Sequence, residues 1–163
     1  MNLIEHWQAK KSSAKKRHTK FVKQLKRKKG KVLDELGDEI HEKVFQEIDC
    51  LDCANCCSSI PPIVNRTDSN RLAKHLGMKV KHFEVEYLIV DEDGDTVMNT
   101  SPCPFLLADN KCMVYEYRPK ACRKYPHTDQ MEFSQNLRLH ATNARYCPAV
   151  FHMLERMEAH FKE

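Results

Sequence analysis

The residues with the clearest capacity for chemistry are four cysteines that lie within eight positions, in the segment Cys50-Leu51-Asp52-Cys53-Ala54-Asn55-Cys56-Cys57. A cysteine that serves only as a small hydrophobic residue has no reason to cluster with three others. Four more cysteines follow, and these are Cys103, Cys112, Cys122 and Cys147. The clustering predicts that the cysteines act through their sulfur atoms.

The reducing or oxidising character of the compartment decides how such a cluster is interpreted. The sequence begins with a segment that soon turns basic and has no apolar stretch typical of a secretory signal, so we expect a cytoplasmic protein. In the cytosol clustered cysteines more often bind metal or catalyse reactions than form disulfides. No apolar run approaches the roughly 20 residues that span a bilayer, so we expect no membrane partner.

The identity of the metal stays open at this point. Thiolates repel one another, and several can share a site only when a cation neutralises them. Pairs of cysteines separated by two residues are typical of structural zinc sites. The spacing of Cys50, Cys53 and Cys56 also matches the start of an iron–sulfur ligand run, although Cys57 has no place in that run. We therefore expect zinc or iron, with an iron–sulfur cluster as an alternative.

The spacing also indicates how the ligands are grouped. Steps of three residues can aim Cys50, Cys53 and Cys56 at one point, whereas the adjacent Cys57 must point elsewhere. We expect remote cysteines to complete either one shared site or two adjacent sites, with Cys57 in the second. The remote ligands would be Cys103, Cys112 and Cys122, and Cys147 is either a further ligand or a buried residue before Pro148.

Basic side chains near the later cysteines can support such a site. Arg118 and Arg123 flank Cys122 in the sequence and can offset negative charge or donate hydrogen bonds to sulfur. They can equally be ordinary surface bases. His127 follows Cys122 closely, and it is either an additional supporting residue or a surface histidine.

Positive charge is concentrated at the start of the chain. Residues 1–31 contain twelve Lys or Arg and one acid, whereas the rest of the chain is acidic. Between Lys10 and Lys31 the bases recur on every side of a helix, so we expect a solvated basic arm outside the core. This arm has two open interpretations: it is a helical extension, or residues 10–31 contact the phosphates of nucleic acid. We predict an arm at 1–31 and a cysteine-cluster domain at 32–163.

Periodic segments predict a small, mainly α protein with irregular cysteine-rich metal-bound loops, flanking helices and a minor β-hairpin. Apolar residues spaced three and four apart predict a helix over 32–48, and Pro148 is expected to open the last helix. Further helices are expected from Thr67 or Asp68 to Gly77, over 80–87 and over roughly 129–145. Strands over 88–90 and 96–98, joined by an acidic turn, predict the hairpin.

The cysteine segments together resemble a known family. The motifs Cys50-x2-Cys53-x2-Cys56-Cys57, Cys103-Pro104-Phe105-Leu106 and Cys112-x-Val114-Tyr115-Glu116-x-Arg118-Pro119-x-Ala121-Cys122-Arg123-x-Tyr125-Pro126 are similar to those of the YkgJ-type cysteine-cluster proteins. The resemblance implies a bacterial protein in which these cysteines chelate zinc or iron. A similar cysteine domain occurs in the flagellin lysine methylase, which implies a second possibility, an iron–sulfur enzyme or enzyme component that acts in protein modification. A nucleic-acid- or ribosome-associated zinc protein is the third.

Overall fold

The computed structural model describes all 163 residues, and it confirms the prediction of a small, mainly α protein with a minor β-hairpin. The elements in chain order are α1 Leu3–Leu25, α2 Gly30–Glu47, α3 Cys50–Cys53, α4 Asn55–Ser59, α5 Arg66–His75, α6 Val80–Tyr87, β1 Leu88–Val90, β2 Thr96–Met98, α7 Lys120–Lys124, α8 Leu137–Asn143 and α9 Pro148–His160, with 3₁₀ helices at Tyr115–Tyr117 and Phe133–Asn136.

The chain divides into two compact units. The terminal unit comprises Met1–Cys53 and Pro126–Glu163, and the central unit comprises Ala54–Tyr125. The predicted division into residues 1–31 and residues 32–163 stays a prediction, because backbone compactness does not measure independent folding. No helix combines the length and the apolar character that crossing a membrane requires.

Helix α1 contributes to the core of the terminal unit, so the prediction of a solvated basic helix outside the core was wrong. One face of α1 is buried, and it consists of Trp7, Ala14, His18, Phe21, Val22 and Leu25. Spacings of three, four and seven residues keep these side chains on a single face. The indole Nε1–H of Trp7 donates a hydrogen bond of 2.9 Å to the carbonyl of Ala144, just after α8.

Helix α9 packs against both α1 and α2. Pro148 occupies the start of α9, as predicted, because its missing N–H would have no partner in the first turn. The buried face of α9 includes Val150, Phe151 and Leu154. A further link to α2 is the 2.8 Å hydrogen bond from Arg156 to Glu47.

Helix α2 confirms the predicted periodicity, with Leu33, Ile40 and Val44 buried on one face. The 3₁₀ helix at Phe133–Asn136 lies against it at Gly37, where an added Cβ would stand 2.8 Å from Phe133. The carboxylate of Asp34 accepts hydrogen bonds from the backbone N–H and the hydroxyl of Ser134. Glycine is therefore required at position 37 for the two segments to approach this closely.

The predicted helix over 129–145 is shorter in the structure. Gln130 and Met131 have left-handed backbone, with φ of 58° and 57°, and helix cannot continue through such residues. The backbone N–H of Met131 donates to Asp38 on α2 instead. Regular α-helix begins only at Leu137.

The central unit is built around one apolar cluster beneath α5, α6 and the hairpin, and its members are Val64, Leu72, Ala73, Phe83, Met98, Phe105 and Val114. Helix α6 has its predicted bounds, and the hairpin pairs Leu88 with Met98 in an antiparallel register. Helix α5 begins at Arg66 because Asn65 and Asp68 form a capping box, so the cap lies earlier than the predicted Thr67 or Asp68.

The partly exposed ion cluster between α1 and α9 predicts an acid-sensitive contribution to stability. Glu155 accepts hydrogen bonds from His18 at 2.6 Å and from Arg17 at 2.5 Å. Burial raises the pKa of Glu155, but the hydrogen bonds from His18 and Arg17 outweigh burial and hold the pKa at about 2. A depressed pKa stabilises the fold above the ordinary carboxyl pKa and loses that effect as the pH falls toward 2.

We therefore expect Glu155→Gln to be less stable than the parent at neutral pH, with a difference that shrinks between pH 4.5 and 2. Urea unfolding across this range measures the difference. Glu84→Gln removes an exposed carboxylate that forms no ion pair and serves as the control. A Glu155→Gln difference that stays constant over the whole range would contradict the assignment.

Candidate metal centre

The eight cysteines are distributed over both units of the fold. Cys50, Cys53 and Cys147 belong to the terminal unit, and Cys56, Cys57, Cys103, Cys112 and Cys122 belong to the central unit. The first motif crosses the boundary at Ala54, whose left-handed backbone (φ of 45°) separates α3 from α4. Five cysteines lie in one-turn helices rather than in the expected loops. Backbone hydrogen bonds between residues three or four apart, such as Ser58 N–H to the carbonyl of Ala54, form these single turns.

Backbone hydrogen bonds fasten Cys57 to Cys103 in the central unit. The N–H of Cys103 donates to the carbonyl of Cys57 at 2.9 Å. The hydroxyl of Ser101 donates to the carbonyl of Ser58 at 2.9 Å. These two bonds join the end of α4 to the segment around Cys103. They bring together Cys57 and Cys103, which are 46 positions apart in the sequence.

A tight turn aligns Cys112 with the segment after Cys103. The N–H of Leu107 donates to the carbonyl of Lys111 at 2.8 Å, and Leu106 pairs with Cys112 in an antiparallel bridge. Phe105 from one side of this turn enters the central core, and both Cys103 and Cys112 pack against that core. Apolar burial therefore holds the two thiols on the same side of the unit.

A buried ion pair fixes the corner that precedes Cys122. Asp68 is 2% exposed, and it accepts hydrogen bonds from Arg71 at 2.7 Å and from the backbone N–H of Lys120 at 3.2 Å. Arg71 also donates to the carbonyl of Arg118 at 2.7 Å. Helix α5 thus determines where α7 begins and so where it carries Cys122.

Sequence reasoning assigned no role in the site to Asp68 and Arg71. The available signal was the i to i+3 spacing of an acid and a base on a predicted helix, but that spacing is common on helix surfaces. Their importance arises from contacts to residues 47 and 52 positions away, which the local pattern does not contain.

The four thiols of Cys57, Cys103, Cys112 and Cys122, here called the central group, interact electrostatically. Burial raises the pKa of Cys122 to about 12, and negative charge on Cys103, Cys57 and Cys112 adds to the increase. The pKa values of Cys103 and Cys112 are raised first by burial and then by neighbouring thiolates of the group. These thiols resist simultaneous ionisation because each thiolate repels the others.

Positive charge and N–H donors partly offset this repulsion. The backbone N–H groups of Phe105 and Leu106 act against the raised pKa of Cys103, and the N–H of Val114 acts against that of Cys112. Hydrogen bonding with Cys56 and the charge of Arg118 lower the pKa of Cys57 to about 7, against the effect of burial. Backbone N–H groups aimed at sulfur are typical surroundings of metal-bound thiolates.

The remaining thiols of the terminal unit, Cys50, Cys53 and Cys147, form the terminal group. Cys147 is the N-cap residue of α9, and the backbone N–H groups of Val150 and Ala149 act against the raised pKa of its thiol. Burial raises the pKa of Cys147 to about 12, and negative charge on Cys50 and Cys53 adds to the increase. Cys53 and Cys147 both pack against the terminal core.

The donor set fits a thiophilic metal, although the side chains are not arranged around one coordination point. No three His, Cys, Asp or Glu side chains lie close enough together to hold a metal ion in the present geometry. Binding by the central group therefore requires side-chain rotation that draws the sulfur atoms together. Two features make the central group suitable for a metal: its four thiols interact electrostatically, and backbone N–H groups lie near the sulfur atoms of Cys103 and Cys112.

The predicted supporting residues have different positions. Arg118 stacks on Tyr115 at 3.7 Å, and its charge lowers the pKa of Cys57. Arg123 is exposed at the end of α7 and makes no hydrogen bond with a cysteine. His127 belongs to the terminal unit, and its backbone is left-handed with φ of 64°. Of the three, Arg118 has a charge that acts on the central group.

Removing the Asp68 carboxylate is expected to loosen the corner before Cys122. Asp68→Ala leaves the partly buried Arg71 without its partner, so we expect a loss of about 3 kcal/mol in the free energy of unfolding. The variant should also release metal more readily, because Cys122 is no longer held. Chemical denaturation and metal retention in a chelator competition measure both effects.

Asp93→Ala provides the matched control, since Asp93 belongs to the same unit and is an exposed carboxylate of the hairpin turn, away from the cysteine segments. Equal losses in the two variants would show that Asp68 has no special role in positioning the site.

Comparison with known proteins agrees with the cysteine arrangement. A search of curated proteins and a search of solved structures each found no match. A family model named CxxCxxCC, described as "Putative zinc- or iron-chelating domain", matches residues 49–148. This range covers most of the chain and includes seven helices or strands of the central unit together with all eight cysteines. The chain therefore belongs to the CxxCxxCC family of zinc- or iron-chelating domains.

Proposed function

We propose that this protein chelates zinc or iron through two groups of cysteines. The central group supplies four thiolates from Cys57, Cys103, Cys112 and Cys122, and the terminal group supplies Cys50, Cys53 and Cys147. Cys56, which hydrogen-bonds to Cys57, stays a predicted ligand of either group. The observation that carries the proposal is that three separate segments bearing these cysteines are joined within the central unit by the Cys103 N–H to Cys57 carbonyl hydrogen bond, the Leu106–Cys112 bridge and the contact of Asp68 with Lys120. The raised pKa values of Cys103, Cys112 and Cys122 support it.

A metal ion can replace the protons of the central thiols. Because their pKa values are raised, the thiols of Cys103, Cys112 and Cys122 stay protonated at neutral pH unless a cation is present, whereas Cys57, with a pKa of about 7, is partly ionised. A divalent metal displaces these protons and turns the repulsion into coordination, so metal affinity rises with pH. Four thiolates on one divalent ion leave a net charge of −2, which the nearby Arg118 partly offsets.

Zinc is the ion that we assign to the central group. Four cysteine ligands give the closed tetrahedral arrangement of structural zinc sites, and such a site contributes directly to folding. On this proposal the site joins α4, the turn around Cys112 and α7, which are all short elements with little regular hydrogen bonding of their own. The metal would then be a part of the central core.

The terminal group supports a second candidate function, an iron–sulfur enzyme or enzyme component. Three cysteine ligands leave a coordination position open, and an open position is what a catalytic metal requires. Anaerobic purification separates the candidates. Iron with acid-labile sulfide and absorbance near 400 nm would support the enzyme, whereas a colourless protein that contains only zinc would exclude the cluster.

Paired cysteine substitutions test the two-group arrangement. We expect Cys103→Ser, Cys122→Ser and Cys147→Ser each to lower the bound metal by about one ion per chain, because each breaks one group. The double variant Cys103→Ser/Cys122→Ser should lose no more than either single variant, since both residues serve one ion. Cys103→Ser/Cys147→Ser should lose the metal of both groups.

Elemental analysis of metal per chain provides the measurement, and Ser59→Ala, an exposed change next to the cluster, is the control. Additive loss in Cys103→Ser/Cys122→Ser, or no additional loss in Cys103→Ser/Cys147→Ser, would refute the grouping.

A further inference from the structure

An open groove of about 410 Å³ runs between α1 and the α8 segment, within the terminal unit. Its lining contains five cationic side chains and no acid, and the cations are Lys15, Lys23, Lys26, Arg138 and Arg145. Lys15 and Lys23 belong to α1 and Lys26 directly follows its last residue, whereas the two arginines come from the other wall. Sequence reasoning anticipated the lysines but not the arginines, because Arg138 and Arg145 lie far from the basic arm.

The groove cations have no carboxylate partners. All five are exposed, and none takes part in an ion pair. The acidic side chains of α9 that approach α1, Glu155 and Glu158, are already paired with Arg17, which lies on a different side of α1 from Lys15 and Lys26. Like charges on facing walls repel one another, so a bound polyanion would lower the electrostatic energy of the groove.

The exposure of the groove cations and the burial of the apolar face of α1 favour one class of anionic ligand over others. A site for a small anion requires buried donors that fix its orientation, whereas the charged groups here are exposed. An amphipathic helix that binds a bilayer needs a free apolar face, but the apolar face of α1 is buried in the terminal core. Exposed cations along a groove fit a long phosphate chain.

We propose that the groove between α1 and α8 binds the sugar–phosphate backbone of duplex nucleic acid without reading its sequence. Along α1 the distance from Lys15 to Lys26 is about 16 Å at 1.5 Å per residue. This span corresponds to roughly five base-pair steps of 3.4 Å, so cations on both walls can contact successive phosphates. The proposal rests on residues outside the cysteine groups and is independent of the metal.

The test uses the full chain with its metal and a fluorescent duplex of about 20 base pairs, as DNA and as RNA of the same sequence. Anisotropy titrations between about 50 and 200 mM salt give the affinity and its salt dependence. We expect Arg138→Gln/Arg145→Gln to lower the slope of log affinity against log salt by about two, one for each lost phosphate contact.

Lys79→Gln/Lys81→Gln removes the same charge from exposed positions of the central unit and should leave the slope unchanged. Lys15→Gln/Lys26→Gln on the opposite wall should reproduce the loss seen with the arginines. Circular dichroism and metal content verify that each variant is folded. Absence of salt-dependent binding, equal losses in the control, or preferential binding to anionic vesicles or polyglutamate would overturn the proposal.

Discussion

The resistance of the four central thiols to simultaneous ionisation is the constraint on which the proposed metal site depends. Burial favours the protonated form of each thiol, and negative charge on neighbours favours that form further for Cys103, Cys112 and Cys122. Hydrogen bonding with Cys56 and the charge of Arg118 instead lower the pKa of Cys57 to about 7. The fold nevertheless keeps four cysteines together through the Cys57–Cys103 hydrogen bond, the turn before Cys112 and the buried Asp68. Without a cation three of these thiols stay neutral, and a metal that replaced their protons would turn the repulsion between thiolates into coordination.

The same unit combines this polar site with an apolar core. Phe105 and Val114 enter the core from the segments that carry Cys103 and Cys112, so apolar side chains position these two cysteines. The Asp68–Arg71 pair positions Cys122, because it holds the corner that precedes α7. The position of each ligand thus depends on long-range packing, and weakening that packing should weaken metal binding.

The sequence was sufficient for elements whose signals are local. Helices α2, α6 and α9 were predicted by apolar spacing and by Pro148, and the hairpin by its acidic turn. The buried face of α1 escaped prediction because Ala14 and His18 are weak signals among many lysines. The late start of α8 was not predicted, because a left-handed backbone at Gln130 and Met131 is not evident from residue type.

The site was predictable in its residue types but not in its grouping. Clustered cysteines indicate metal binding by composition and spacing alone, whereas membership in a group depends on which segments meet. The Cys57–Cys103 hydrogen bond, the contact of Asp68 with Lys120 and the position of Cys147 at α9 are long-range features. The positions of Arg138 and Arg145 are also long-range features, since only the packing of α8 against α1 brings these side chains to the groove.

X-ray absorption at the edge of the bound metal tests the central claim most directly. The variant Cys50→Ser/Cys53→Ser/Cys147→Ser removes the terminal group and leaves the four thiols of the central group intact. The proposed site predicts one metal ion per chain with four sulfur neighbours at about 2.3 Å. A variant that retains no metal, or a metal with two or more nitrogen or oxygen neighbours in place of sulfur, would contradict the account.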